Sequence, residues 1–295
     1  MATLREIKKR MTAVGSIARI TKTMQMIANA KFAASMARAK ATRPYSQKLR
    51  QMVREVAATA GDVRHPLIDG PAQSSKRELL LVISSDRGLC GAYNSNVLRK
   101  AAAHIRATRA AGTQLDIEVA GKKAIAAVKF HGYTVADKHT VGDKPKYEEV
   151  ERIAQRYMDE FSAGKYDTVR IAYTRFESNA RQIPEVLQLL PVKADVATTD
   201  KNVPAEHKAS ANYEFSPSAE ELMSHLLPLS VKSTLFQAFN DAVVSEQIMR
   251  MVAMKAATEN ARELGRMLRR RYNRARQSKI TTELTEIVSG AAALE

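Results

Sequence analysis

The residues best suited to chemistry run Ser84-Ser85-Asp86-Arg87-Gly88-Leu89-Cys90-Gly91, after an apolar run of strand type and before a helical stretch. Phosphate-binding loops occupy this position in α/β proteins, where backbone N–H groups at a helix start meet the anion. The chemistry does not complete. A P-loop closes on Gly-Lys-Ser/Thr, so that Lys reaches the phosphates and the hydroxyl holds magnesium; this loop ends Cys90-Gly91-Ala92. The three-glycine dinucleotide fingerprint is missing as well, because only Gly88 and Gly91 are present. Cys90 lies beside Asp86 and Arg87, but no His is near it in sequence to act as a base, and it reads as a structural thiol. His131 and His139 are eight residues apart without cysteines at finger spacing, so no metal site is expected. These patterns predict no catalytic residue and no cofactor.

The densest charge is Arg269-Arg270-Arg271-Tyr272-Asn273-Arg274-Ala275-Arg276, which nearly encircles a helix. It reads either as a solvated face or as a basic helix for a nucleic-acid groove. A leucine-zipper regulator sets its basic region ahead of a long seam, and only a short apolar tail follows here. The whole chain carries 47 Lys+Arg against 31 Asp+Glu, a formal net charge of +16. Residues 1–58 hold 13 of those cations against two acids, Glu6 and Glu55, so this segment is expected to meet an acidic surface. A single cysteine excludes an intrachain disulfide. No apolar run approaches the ~20 residues of a membrane helix, so direct membrane insertion is not expected. The start also lacks an apolar signal core.

Helices at both ends must position these residues. Leu4, Ile7, Met11, Val14, Ile17, Ile20, Met24 and Ile27 recur at steps of three and four, a narrow coiled-coil seam with one phase slip. Past Ile27 the seam turns to Ala30, Ala33, Ala34, Ala37 and Ala41, which lets a partner helix approach closely. Pro44 predicts a bend or local break. Far along the chain, Ser216-Pro217 reads as an N-cap followed by Pro at the first helical position, and Pro228 is expected to interrupt that helix. Leu229 to Val288 then contains no proline and one glycine, Gly265. A helix of ~60 residues is ~90 Å long, whereas a compact globule of this size is roughly 50 Å across. The terminal helices are therefore expected to project and to wind on each other antiparallel.

Between them, Leu79-Leu80-Leu81-Val82-Ile83 is a buried-strand run. Asn94 is expected to cap a helix to about Ala111, followed by a strand at Leu115–Ala120 and a helix at Lys122–Phe130. A weak strand at Tyr133–Val135, a helix at Tyr147–Ala163, and strands at Val169–Tyr173 and Val186–Leu190 complete the pattern. This alternation implies a mostly parallel sheet with right-handed crossovers. The predicted class is α+β overall: a long antiparallel coiled coil of N- and C-terminal helices with an inserted Rossmann-like α/β domain. Its parts are a shaft helix at 1–59, the α/β domain at 77–195, a linker at 196–215 and a second shaft helix at 216–295.

Several segments then carry a likeness, in order along nearly the whole chain. They are Arg5-Glu6-Ile7-Lys8, Ile20-Thr21-Lys22-Thr23-Met24, Arg43-Pro44-Tyr45, Ser85 to Gly91, Met251-Val252-Ala253-Met254-Lys255-Ala256-Ala257-Thr258, and Tyr272-Asn273-Arg274-Ala275-Arg276-Gln277 through Glu283-Leu284-Thr285-Glu286-Ile287-Val288-Ser289-Gly290-Ala291. Together they resemble the gamma-subunit family of bacterial-type F-type ATP synthases. Asn260 to Gly265 departs from members that carry paired glycines, and the absence of a cysteine-bearing insertion means thiol regulation is not implied. The resemblance implies a non-catalytic central rotor shaft inside a ring of alpha and beta subunits. Its α/β foot would stand on the membrane rotor ring of c subunits beside the epsilon subunit. The location implied is peripheral, on the cytoplasmic side of the cell (inner) membrane. Arg276, Gln277, Thr281 and Glu283 match positions that contact loops of beta, and Asp86, Arg87 and Cys90 match a loop near its lever region. Lys8, Lys9, Arg10, Arg19 and Lys22 are expected to face acidic segments of beta, and Val288, Ala291 and Leu294 to form the bearing tip. The competing readings are a basic coiled-coil nucleic-acid-binding protein and an enzyme built on the α/β domain.

The purified chain alone is expected to release no phosphate from ATP, because no phosphate loop, metal site or activated nucleophile is encoded. Turnover that survives removal of contaminating beta subunit would contradict this.

Overall fold

The computed structural model describes residues 3–59, 64–71, 74–192 and 218–292. The elements in order are α1 (Leu4–Thr59), α2 (Pro66–Asp69), β1 (Arg77–Ile83), α3 (Tyr93–Ala110), β2 (Gln114–Ala120), α4 (Lys122–Phe130), β3 (Asp137–His139), α5 (Tyr147–Ser162), β4 (Thr168–Phe176), β5 (Gln182–Leu190) and α6 (Ala219–Ala292). The chain divides into two compact units: residues 1–30 with 250–295, and residues 31–249. The expected linker at 196–215 and the Ser216-Pro217 cap lie outside the described residues.

The first unit is a two-helix seam. On α1 its inward positions are Leu4, Ile7, Met11, Val14, Ala18, Thr21, Gln25 and Ala28, with Ile7 and Ala28 fully buried. On α6 they are Met254, Thr258, Ala261, Gly265, Leu268, Tyr272 and Ala275. Both rows step by three and four without a slip, the 3.5-residue period of a coiled coil. Thr258 donates to Thr21 across 2.8 Å, and Gly265 lies against Val14, where an added Cβ would meet Cγ1 at 3.8 Å. Position rises on one helix as it falls on the other, so the pair is antiparallel. The predicted slip does not occur: after Val14 the buried row continues through Ala18 and Thr21, and Ile17, Ile20 and Ile27 are half-exposed instead.

The second unit holds a five-stranded sheet in the order β3-β2-β1-β4-β5. β3, β2, β1 and β4 are parallel, and β5 runs antiparallel to β4. Helices α3 and α4 cover one face through Ala101, Ile105, Ala124 and Val128. The other face packs on α5, on Val53 and Val56 of α1, and on Met223, Leu227, Val231, Leu235 and Phe239 of α6. Leu79, Leu80 and Leu81 are wholly buried, as the continuous apolar run of β1 requires when both faces are covered.

Three local expectations are corrected. α6 continues through Pro228; a mid-helix proline costs about 3 kcal/mol, and burial of Met223, Leu227 and Val231 on either side offsets it. Of the bend or break expected at Pro44, the break does not occur: α1 continues through it, flanked by buried Ala39, Ser46 and Leu49. The third strand is at Asp137–His139 rather than Tyr133–Val135, paired to β2 over three residues.

Asp241 on α6 is a buried carboxylate. Burial pushes its pKa up to about 6, against the opposing pull of Arg43, Gln237 and the Phe176 amide. The folded state therefore binds a proton that the unfolded state releases near pH 4, and stability falls as pH rises between those values. A shift of about two units is worth up to ~3 kcal/mol. Relative to Asp241→Asn, the wild-type chain is expected to lose up to ~3 kcal/mol of stability between pH 4 and 7. Urea unfolding of both proteins at the two pH values checks this.

Candidate functional site

The Ser84–Gly91 loop joins β1 to α3, and its polar groups are engaged with its own neighbourhood. The N–H of Lys122 donates to Asp86 Oδ1 at 3.0 Å, that of Lys123 to the Ser85 carbonyl at 3.1 Å, and that of Ala124 to Ser84 Oγ at 2.8 Å. These are the first donors of α4, so a helix start that would otherwise attract an anion is already capped. The chain approaches so closely here that a Cβ on Gly121, held at φ +100°, would lie 2.2 Å from the Ser84 carbonyl oxygen. Asn94 does not cap α3, whose N-cap is Ala92. Its amide instead accepts from the Ser85 N–H at 3.1 Å and donates to Ser85 Oγ at 2.8 Å and Cys90 Sγ at 3.1 Å. Cys90 is buried, and the exposed part of the loop is Asp86, Arg87 and Leu89, the last in the left-handed region at φ 62°.

Open α/β sheets bind ligands beyond the carboxyl ends of their strands. Here Phe239, Ala242 and Val243 of α6 fill that crevice against Ile83, Ala120 and Gly121, leaving a cavity of about 30 Å³. Ligand pockets are roughly ten times larger. The helix takes the place of a ligand.

A polar cluster was missed in the sequence. Glu118 is buried on β2 and accepts from Arg156 at 2.6 Å, from the Tyr157 hydroxyl at 2.7 Å and from His139 Nε2 at 2.7 Å. Burial alone would raise its pKa, but His139, Tyr157 and Arg156 outweigh that and hold it below the usual carboxylate range. Asp137, Glu118 and His139 have a metal-like spacing, yet Arg156 already bridges Glu118 and Asp137, the latter at 3.1 Å. The guanidinium neutralises the acids, and the cluster ties β2, β3 and α5. His131 does not join it; its ring packs against Phe130 and Tyr133. An acid inside the apolar strand Leu115–Ala120 was the available signal, since a buried carboxylate requires donors.

In the first unit the candidate residues are on the surface. Lys8, Lys9, Arg10, Arg19 and Lys22 are all exposed. Arg19 reaches Ser16 at 3.4 Å and Lys22 reaches Gln25 at 3.4 Å, and none of the five has an ion-pair partner among the described residues. Ile17, Ile20, Met26 and Ile27 on α1, with Val252, Leu264 and Met267 on α6, point apolar surface outward. At the spacing set by Thr21–Thr258 and Val14–Gly265, Leu4 falls level with Ala275, so the seam ends where α1 begins. From Arg276 to Ala292 every residue is exposed. Ile287 is 68% and Val288 66% exposed, so this end of α6 is apolar without cover. Arg276 and Gln277 project without side-chain partners among the described residues; the Thr281 hydroxyl donates to the Gln277 carbonyl at 3.0 Å, and Glu283 lies 3.4 Å from Lys279. Ala291 is exposed, and Leu294 lies outside the described residues.

Native Cys90 is expected to react with a maleimide roughly 100-fold more slowly than in urea, as a residue that needs local opening. Equal rates would contradict its burial.

The sequence model of the family described as ATP synthase matches residues 3–294. The ATP synthase gamma chain of Rhodopirellula baltica is 38% identical over 296 residues, covering 100% of both chains. That of Chloroflexus aurantiacus is 37% identical, covering 100% of this chain and 99% of its own, and that of Leptospira biflexa is 35% identical, covering 100% of both. Among solved structures, a chain of the Euglena gracilis mitochondrial ATP synthase OSCP/F1/c-ring complex aligns with a TM-score of 0.69 at 21% identity, covering 99% of this chain and 94% of its own. A chain of the Tetrahymena thermophila ATP synthase central stalk and c-ring aligns at 0.54 and 21%, covering 81% and 99%. These two show the same fold. A family match from end to end accounts for a seam that stops at Ala275 and a sheet whose ligand crevice is filled by its own helix: the chain belongs to the ATP synthase gamma-chain family.

Proposed function

We propose that the chain is the central rotor shaft of an F-type ATP synthase, turned by ion flow through a membrane ring of c subunits and driving catalytic beta subunits through their open and closed states. The observation that carries this reading is the uncovered surface of the two-helix unit. Apolar residues project from both helices, and α6 continues past Ala275 with Ile280, Leu284, Ile287 and Val288 exposed. Burying a Val, Leu or Ile side chain contributes about 1.5–3 kcal/mol, so a sleeve around this unit is strongly favoured. A ring of three alpha and three beta subunits supplies such a sleeve, and the basic positions of α1 suit acidic segments within it.

The chain itself carries no catalysis; it biases conformational equilibria in beta. The α/β domain acts as the foot on the c-ring, beside the epsilon subunit. No described helix is long and apolar enough to cross a membrane, which fits a peripheral position on the cytoplasmic side of the inner membrane. Exposed ion pairs contribute ~0–1 kcal/mol each, so contacts of Lys8, Lys9, Arg10, Arg19, Lys22, Asp86 and Arg87 with beta are sliding and distributed. Arg276 and Gln277 are different, because a planar guanidinium and an amide make directional bonds to loops of beta. Thr281 and Glu283 belong to the same patch, and Val288, Ala291 and Leu294 seat the tip in the bearing. A nucleic-acid role has no comparable support.

Mixing the chain with cognate alpha and beta subunits is expected to give a one-to-three-to-three complex. Within it, Arg276→Ala/Gln277→Ala is expected to slow hydrolysis roughly 10-fold or more, the effect of losing one or two hydrogen bonds to charged groups, with stoichiometry unchanged. Wild-type hydrolysis and ion pumping by the intact double variant would remove this patch from the account.

A further inference from the structure

The second unit contains a junction at which both long helices hold the end of one strand. Phe176 closes β4. Its carbonyl accepts from the Arg43 guanidinium of α1 at 3.0 Å, and its N–H lies on the side of the Asp241 carboxylate of α6, whose charge it favours. Arg43 and Asp241 are themselves 4.0 Å apart, which closes the triangle. Gln237 Nε2 donates to Asp241 Oδ1 at 2.8 Å, and the Thr42 hydroxyl donates to Gln237 Oε1 at 3.2 Å, so α1 and α6 are also bonded to each other here. One turn further along α6, Ser245 Oγ donates to the Thr174 carbonyl of the same strand at 3.3 Å.

The surrounding contacts cannot do the same work. Phe239 and Ala242 are buried against the sheet, but apolar packing is non-directional and resists separation more than rotation about a helix axis. Lys31–Asp143 and Lys232–Glu151 also join the helices to the sheet domain. Asp143 is 42% and Glu151 39% exposed, so the carboxylate of each pair meets solvent; Arg43 is 40% exposed as well, but its partner carboxylate is buried. Asp241 is 6% exposed and is bonded on several sides. Hydrogen bonds of fixed direction to a buried carboxylate and to a strand-end peptide group set an angle as well as a distance.

We propose that Arg43, gripping the Phe176 carbonyl from α1, and Asp241, which holds Arg43 from α6, form the rotational lock through which torque passes between the α/β domain and the helical shaft. They are positioning residues, remote from any reacting group. The proposal rests on the shaft reading above.

The test uses the complete membrane enzyme in vesicles together with its soluble alpha–beta–gamma assembly. Arg43→Leu removes the grip but leaves a buried carboxylate without its countercharge, which endangers folding. The double variant Arg43→Leu/Asp241→Asn removes both charges and keeps the measurement available. The soluble assembly needs no torque through the foot, so its ATP hydrolysis is expected to stay within about twofold of wild type. ATP synthesis and ions pumped per ATP are expected to fall roughly 10-fold or more, the effect of one lost charged hydrogen bond. Arg43→Lys, which keeps the charge without the fork, is expected to restore part of the coupling. Wild-type synthesis in both Leu variants overturns the proposal. So does a proportional fall of hydrolysis and synthesis, which marks a merely structural role. A wild-type chain that fails to assemble with alpha and beta sinks the shaft reading instead.

Discussion

The cohesion of the two-helix unit rests on one seam, in which Thr21 bonds to Thr258 and Val14 packs on Gly265. A seam of this period buries one narrow stripe on each helix and no more. Its small residues bring the helices close, which leaves Ile17, Ile20 and Ile27 on the outside together with Val252, Leu264 and Met267. In a free-standing coiled coil those positions would be polar. Here they are apolar, and Lys8, Lys9, Arg10, Arg19 and Lys22 lie among them without ion-pair partners among the described residues. The same geometry exposes the end of α6 from Arg276 onward, because α1 has no residues level with it. The proposed role as a shaft in a sleeve follows from how little a two-helix seam can cover.

In the second unit an α/β sheet built like a ligand-binding domain has its crevice filled by α6, through Phe239, Ala242 and Val243. Its loop donors are capped by Asp86, Ser85 and Ser84. Its buried acids find partners internally: Glu118 in Arg156, His139 and Tyr157, and Glu78 in His104 and Arg170. Networks in which each buried acid has donors stiffen a domain, which suits the transmission of force better than the binding of small molecules.

Much of this was legible in the sequence. The long terminal helices followed from period and the scarcity of breakers, the central sheet from alternating apolar and helical segments, and the incomplete phosphate loop from the residues after Gly88. What was not legible has physical causes. The row through Ile17, Ile20 and Ile27 competes with the row through Ala18, Thr21 and Ala28 on periodicity alone, and hydrophobicity favours the wrong one. The partner's small residues, Thr258, Ala261 and Gly265, decide for the second, and that choice depends on a contact over 200 residues away in sequence. Pro228 and Pro44 mark helix ends by local rules, and burial on both flanks overrides them. Glu118 and Asp241 are ordinary acids in sequence; their partners come together only in the folded sheet.

If the chain is a rotor shaft, its helical unit turns inside a ring and the α/β domain turns with it. The most direct measurement fixes an alpha–beta ring to a surface and attaches a bead through Arg106→Cys, on the exposed side of α3, in a Cys90→Ser background. On addition of ATP the account predicts unidirectional rotation of the bead, with three equal pauses per turn reflecting three beta subunits. A stably assembled complex that hydrolyses ATP while the bead shows only undirected Brownian motion would contradict it.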